Sequence, residues 1–195
     1  MKIIGLCGGS GSGKGSVCSI FAKLGVPSVD TDAVYHSLVS SDSPCLKELK
    51  ESFGEEITVD GKLDRAKLAS IVFSNEKRRL MLNSIAHKHV LNATRDILLS
   101  FERKGYSYSI VDAPLLFESG FDKECDYTVA VLADKELRIK RIVNRDGIMR
   151  EGAIKRINSQ MSDEELISRC DYYVYNNGCM DDLAREVEKI FKKIN

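Results

Sequence analysis

The segment Gly5-Leu6-Cys7-Gly8-Gly9-Ser10-Gly11-Ser12-Gly13-Lys14-Gly15-Ser16-Val17 contains Gly8-x-x-x-x-Gly13-Lys14, a spacing suited to holding phosphates. A backbone that curls its N–H groups around phosphate oxygens needs glycine where side chains would clash or φ is positive. A helix opening directly after the loop turns its positive end toward the anion. Lys14 then reaches the β- and γ-phosphates. Gly9, Gly11, Ser12, Gly13, Lys14, Gly15 and Ser16 are therefore the candidate ATP-binding residues of the loop. A flexible Gly-Ser linker with a chance lysine would not account for the apolar run before it and the amphipathic stretch after it. The position after Lys14, usually Ser or Thr, is Gly15, and the hydroxyl comes one later at Ser16. Water-mediated contact with Mg2+ is expected in place of direct ligation.

Carboxylates and guanidinium groups supply the rest of a phosphotransfer site. Asp112 ends the apolar run Ser109-Ile110-Val111 and is followed by Ala113-Pro114. An aspartate at a strand end beside such a loop can hold Mg2+ or its water shell; the competing reading is a helix cap or turn residue. Asp30-Thr31-Asp32 follows another short apolar run. Asp32 can accept a proton from an attacking hydroxyl or orient it, while Asp30 or Thr31 caps the helix beginning there. Arg138, Arg141 and Arg145 recur at three- and four-residue spacing on one helix face. Planar guanidinium groups bind phosphate oxygens in pairs, so Arg141 and Arg145 are candidates to close over the γ-phosphate.

The elements that must position these groups are legible. Residues 3–7, 109–112, 127–132 and 172–175 are short continuous apolar runs, with a shorter one at 27–30. Continuous rather than alternating character suits strands covered on both faces. Helical stretches between them predict a parallel sheet. Leu183, Val187, Ile190, Phe191 and Ile194 share one face of a last helix, and Ser162-Asp163-Glu164-Glu165 has the form of a capping box. Between Ala33 and Lys104 the pattern offers helices and polar turns but no strand. The fold expected is α/β, a three-layer sandwich of the P-loop NTPase type with a parallel sheet of about five strands. Residues 1–32, 106–134 and 170–195 would form the nucleotide-binding core, 33–105 a helical substrate-binding insertion, and 135–169 a helical lid.

Composition narrows the field. In 195 residues, 43% are hydrophobic, enough for a core without staples, and 29 basic residues balance 29 acidic ones. That balance gives no reason to expect nucleic-acid or membrane-surface binding. Six cysteines with no CxxC and no zinc-like spacing read as small buried hydrophobes in a reducing compartment. The first residues run straight into a strand rather than a signal peptide, and no segment is long and apolar enough for a membrane span. A cytoplasmic protein, with a monomer favoured, is the expectation.

Several stretches together resemble the dephospho-CoA kinase family. They are the glycine loop, Val29-Asp30-Thr31-Asp32-Ala33, Leu82-Asn83-Ser84-Ile85-Ala86-His87, and Val111-Asp112-Ala113-Pro114-Leu115-Leu116-Phe117-Glu118. Arg141-Ile142-Val143-Asn144-Arg145-Asp146-Gly147, followed by Ala153, Arg156 and Gln160, and the segment 171–178 ending in Asn176-Asn177-Gly178 complete the set. The resemblance implies that ATP phosphorylates the ribose 3′-hydroxyl of dephospho-CoA, the last step of coenzyme A synthesis. It implies roles for Asp32 as base or acceptor orienter, Lys14 on phosphate, Arg141 and Arg145 in the lid, and Asn177 beside adenine. It also places His87, Leu116 and Phe117 on the acceptor. Gly15, Lys88 (where proline usually follows the histidine) and Leu166 (often lysine) depart from the family pattern. Another small-acceptor kinase is the nearest rival, since adenylate kinases share the Gly-Lys-Gly-Ser form. A guanine-nucleotide switch would carry an N/T-K-x-D motif, which the sequence lacks.

Overall fold

A computed structural model describes every residue except Ser41 and Ser74. The chain forms two units, residues Met1–Val29 with Phe101–Asn195, and residues Asp30–Ser100.

The first unit is built on a five-stranded sheet in the order β2-β5-β1-β6-β7. Its strands are β1 (Lys2–Cys7), β2 (Ser28–Asp30), β5 (Tyr108–Asp112), β6 (Tyr127–Leu132) and β7 (Tyr172–Tyr175). All five expected runs are therefore strands, within a residue at each end. The central strand β1 pairs in parallel with β5 on one side, Leu6 opposite Asp112, and with β6 on the other, Cys7 opposite Ala130. Strand β7 joins β6 in parallel. Because parallel neighbours run the same way, β1 hands over to the glycine loop at the end of the sheet where β5 delivers Asp112.

Helix α1 (Lys14–Lys23) and the last helix, here α9 (Met180–Ile194), cover the sheet. Ile4, Leu6, Val17, Phe21, Ile110, Val131, Leu183, Val187 and Ile194 form one cluster, so the apolar faces read from sequence do meet. Phe191 packs edge-on against Phe21 at 5.7 Å between ring centroids. Helices α6 (Lys135–Asp146), α7 (Arg150–Asn158) and α8 (Asp163–Arg169) follow β6. Ile139, Ile142, Ala153 and Ile157 hold α6 and α7 together. As the capping pattern predicted, the Ser162 hydroxyl caps α8 by accepting the Glu165 N–H at 3.1 Å.

The second unit contains α2 (Thr31–Val39), α3 (Pro44–Phe53), α4 (Arg65–Val72) and most of α5 (Glu76–Arg103). Val39, Cys45, Leu49, Phe53, Ile57, Leu68 and Ile85 make its own core. The strand-free reading of this stretch needs correction. A small antiparallel hairpin pairs β3 (Thr58–Val59) with β4 (Lys62–Leu63). Two-residue strands are too short to leave a period, yet Asp60-Gly61 is a hairpin turn signal. Both turn residues have positive φ, 50° and 75°. Lys88 sits within the unbroken α5 and binds Glu48 at 2.8 Å.

Candidate active site

The loop between β1 and α1 owes its glycines to two separate demands. Gly11 and Gly13 have φ of 78° and 93°, in the region that side chains resist. They are also crowded from outside. A Cβ on Gly11 would lie 2.6 Å from the Arg138 carbonyl oxygen, and one on Gly13 would overlap Asn176 Nδ2. At Gly9 a side chain would collide with the Arg138 guanidinium. Gly15, by contrast, has open space around it.

Lys14 opens α1 at the mouth of this loop. Its Nζ donates to the Gly8 carbonyl at 3.1 Å and lies 3.9 Å from Asp112 Oδ1. Both side chains are 15% exposed, so their charges face each other with little water between. No helix starts after Asp112, which rules out the capping role weighed for it. Cys18 lies 3.8 Å from the other carboxylate oxygen. The Ser12 hydroxyl is buried with no hydrogen-bond partner in the protein.

The arginine-bearing helix grips the loop rather than standing apart from it. Arg138, 5% exposed, sends Nε to the Ser10 carbonyl at 3.0 Å and Nη1 to Asp163 at 3.1 Å. Burial pushes its guanidinium below the ordinary arginine value, and Asp163 offsets part of that. Gln160 accepts the Ser10 N–H at 2.8 Å and donates to the Ser10 hydroxyl at 3.2 Å. Arg141 Nη1 reaches the Gly11 and Ser12 carbonyls at 3.2 and 3.4 Å, and its Nη2 the Asn176 carbonyl at 3.0 Å. The buried Asn176 amide donates to the Ser12 carbonyl at 2.9 Å. Four side chains, those of Lys14, Arg138, Arg141 and Asn176, thus occupy loop carbonyls, while the Ser10 and Ser12 N–H groups are taken by Gln160 and the Gly9 carbonyl.

Arg145 differs from its two neighbours. It pairs with Asp146 at 2.7 Å, and Arg156 binds the same carboxylate. The Arg145 and Arg156 hydrogen bonds pull Asp146 down to about 2. Asn177 holds the turn before α6, accepting the Asp134 N–H and donating to the Asp134 carboxylate, both at 2.8 Å.

A shallow cleft open to solvent runs beside the loop and is lined by Gly8, Gly9, Phe117, Glu118, Gln160 and Leu166 among others. Leu116 is not part of it. Its side chain is 1% exposed and packs over Gly5 in β1, where a Cβ would come within 2.9 Å of it. Leu115 and Phe117, one residue either side, line the cleft instead.

In the second unit, Asp30 is the cap of α2, accepting the Asp32 and Ala33 N–H groups at 2.9 and 3.1 Å. That leaves the exposed Asp32 carboxylate in the first turn without a capping duty. His87 lies half-buried in α5. Among the described residues no group of three or more His, Cys, Asp or Glu side chains is arranged to hold a metal. A single strand-end carboxylate nonetheless fits Mg2+, which keeps several waters and takes its other ligands from phosphate.

Lys14, Asp112 and Arg141, singled out from the sequence, lie beside the loop, as do Arg138, Gln160 and Asn176, to which the sequence assigned no role there. Arg138 carried a signal in hindsight, since it lies beside Ile139 on the buried side of α6.

A glycine loop between a parallel strand and a helix, with its lysine facing a strand-end aspartate, defines a P-loop nucleotide-binding protein. The dephospho-CoA kinase family model matches residues 2–182. A dephospho-CoA kinase of Fusobacterium nucleatum is 39% identical over 195 residues, covering 100% of this chain and 99% of that one. Among solved structures, TT1252 from Thermus thermophilus has a TM-score of 0.83 at 32% identity, covering 100% of this chain and 98% of that one. The dephospho-CoA kinase from Campylobacter jejuni has a TM-score of 0.72 at 25% identity, with the same coverage. The chain belongs to the dephospho-CoA kinase family and is a kinase.

Proposed function

We propose that the chain phosphorylates the ribose 3′-hydroxyl of dephospho-CoA with ATP and Mg2+, the last step of coenzyme A synthesis. The observation that carries this reading is the Lys14–Asp112 pair at the loop, 3.9 Å apart, in a chain matched by the family over residues 2–182. Phosphoryl transfer asks the protein mainly for positioning and charge. Lys14 and the loop N–H groups hold the β- and γ-phosphates, and the Ser12 hydroxyl adds a donor. Arg141 keeps the loop curved and adds positive charge beside it. Asp32 takes or orients the proton of the acceptor hydroxyl, its neighbour Asp30 being spent on the cap. Asp112 and Ser16 hold the metal through water, and Mg2+ when bound neutralises charge on the phosphates.

The finer roles belong to the same proposal. Residues 33–105 bind the acceptor with His87, residues 135–169 act as a lid carrying Arg145, and Phe117 contacts the acceptor from the cleft. Asn177 and the turn it holds flank adenine. A cytoplasmic, monomeric protein completes the reading, on the strength of the sequence. Among the described residues no helix is long and apolar enough to cross a membrane.

The test is ATP consumption with Mg2+ and separate acceptors: dephospho-CoA, AMP, CMP, adenosine and none. Turnover with dephospho-CoA alone, yielding coenzyme A by mass, is the expected result. Turnover confined to AMP or CMP would make the chain a nucleotide kinase and overturn the roles of Asp32 and His87.

A further inference from the structure

Two cysteines meet at the root of the phosphate loop. Cys7, the last residue of β1, is 1% exposed, and its sulfur lies 3.4 Å from that of Cys170, at the end of α8. Both are free thiols. Their backbones are pinned to the same strand. Cys7 sits opposite Ala130 in the β1–β6 ladder. Asp171, next to Cys170, accepts the Thr128 N–H and hydroxyl, both at 2.8 Å, while its own N–H donates to that hydroxyl at 3.0 Å. Sulfurs held this way need to close only to about 2.05 Å to bond.

We propose that Cys7 and Cys170 are an oxidation site, a thiol pair that a hydroperoxide converts to a disulfide and a dithiol reopens, with ATP use falling in the closed form. The sulfur of Cys170 is the accessible one, half-buried where Cys7 is enclosed. The hydrogen bond from Cys7 holds Cys170 below the ordinary thiol value. That same bond, then burial, pushes Cys7 up. Cys170 is therefore the nucleophile. Its thiolate attacks a peroxide oxygen, the O–O bond breaks, and hydroxide leaves as a sulfenic acid forms on Cys170. The Cys7 sulfur then displaces the sulfenic oxygen, which departs as water with the Cys7 proton. Hydroxide takes up the proton first released by Cys170, so two thiols and one hydrogen peroxide give one disulfide and two waters.

The bond would act on the loop because Cys7 is followed at once by Gly8. The Gly8 carbonyl accepts Lys14 Nζ, and even a Cβ on Gly8 would overlap the Val131 carbonyl oxygen, so a shift at Cys7 finds little room there. The link would also tie the loop's first strand to α8, whose Asp163 holds Arg138 on the loop's far side.

The experiment treats the reduced Cys179→Ser protein, which lacks the exposed thiol, with one equivalent of hydrogen peroxide. Expected are a mass loss of two hydrogens, a Cys7–Cys170 cross-linked peptide, and at least a tenfold drop in kcat/KM for ATP, all reversed by dithiothreitol. The further change Cys170→Ala should abolish the link and leave turnover insensitive to peroxide. Three results overturn the proposal: a different pairing, sulfinic acid at Cys170 in place of the link, or a link that leaves kcat/KM unchanged. The turnover arm rests on the kinase reading and the mass arm does not. An enzyme inactive even when reduced would therefore count against that reading while the link is still scored.

Discussion

Substituting alanine at Gly13 and at Gly15, two residues apart, should move stability in opposite directions. At Gly13, φ is 93° and a Cβ would overlap Asn176 Nδ2, with Asn176 Cγ at 3.3 Å. Holding an L-residue in that region costs about 1–2 kcal/mol. Relief requires Asn176 to withdraw from the Ser12 carbonyl, a 2.9 Å bond from a side chain 6% exposed. Losing such a bond costs about 1–3 kcal/mol. Gly13→Ala should therefore destabilise by about 2–5 kcal/mol, a large part of a domain's total of about 5–15. Gly15 is a residue of α1 with nothing within 4 Å of its would-be Cβ. There alanine gains up to about 1 kcal/mol by restricting the unfolded chain and suiting the helix. Urea unfolding reads both. With an m-value of about 2 kcal/mol/M, a 3 kcal/mol loss lowers the midpoint by about 1.5 M, whereas Gly15→Ala raises it slightly. A Gly13→Ala midpoint equal to the parent's, or a Gly15→Ala midpoint well below it, would refute the close-approach argument for the loop.

The division of labour at α2 predicts that Asp32→Ala lowers kcat by roughly 10²–10³ with an unchanged melting temperature, while Asp30→Ala costs about 1 kcal/mol of stability through the lost cap. Activity surviving Asp32→Ala would sink its role as acceptor orienter. For Asp146 the folded-state value is depressed, from 3.8 to about 2, by Arg145 and then Arg156. Its contribution to stability is therefore complete above about pH 4 and is lost as pH falls through about 2. Asp146→Asn should flatten the acid limb of a stability–pH curve in that window, and an unaltered limb would show the cluster contributes nothing. Arg138→Met, which keeps bulk but drops the bonds to Ser10 and Asp163, should raise the KM for ATP about tenfold. An unchanged KM would show that Gln160, Arg141 and Asn176 hold the loop without Arg138.

The strands and the loop could be read from sequence because their causes are local. A buried parallel strand must be apolar throughout, and a backbone cradle must be glycine-rich, so β1, β5, β6, β7 and residues 8–14 carry their signal within a few positions of one another. The same locality explains Ser162 and the face of α9. The hairpin at 58–63 escaped because two residues cannot show a period. The sequence admitted either Asp30 or Thr31 as the cap of α2, and only the backbone geometry of the turn assigned it to Asp30. Other features have no local cause. Leu116 turns to the core because Gly5 leaves room for it. Arg138 is spent on Ser10 because the turn after β6 aims α6 across the loop. Cys7 and Cys170 touch across 163 positions of chain because both abut β6. What periodicity and turn chemistry dictate, the sequence states by itself. Contacts between side chains remote in the chain exist only once the sheet has brought their strands together.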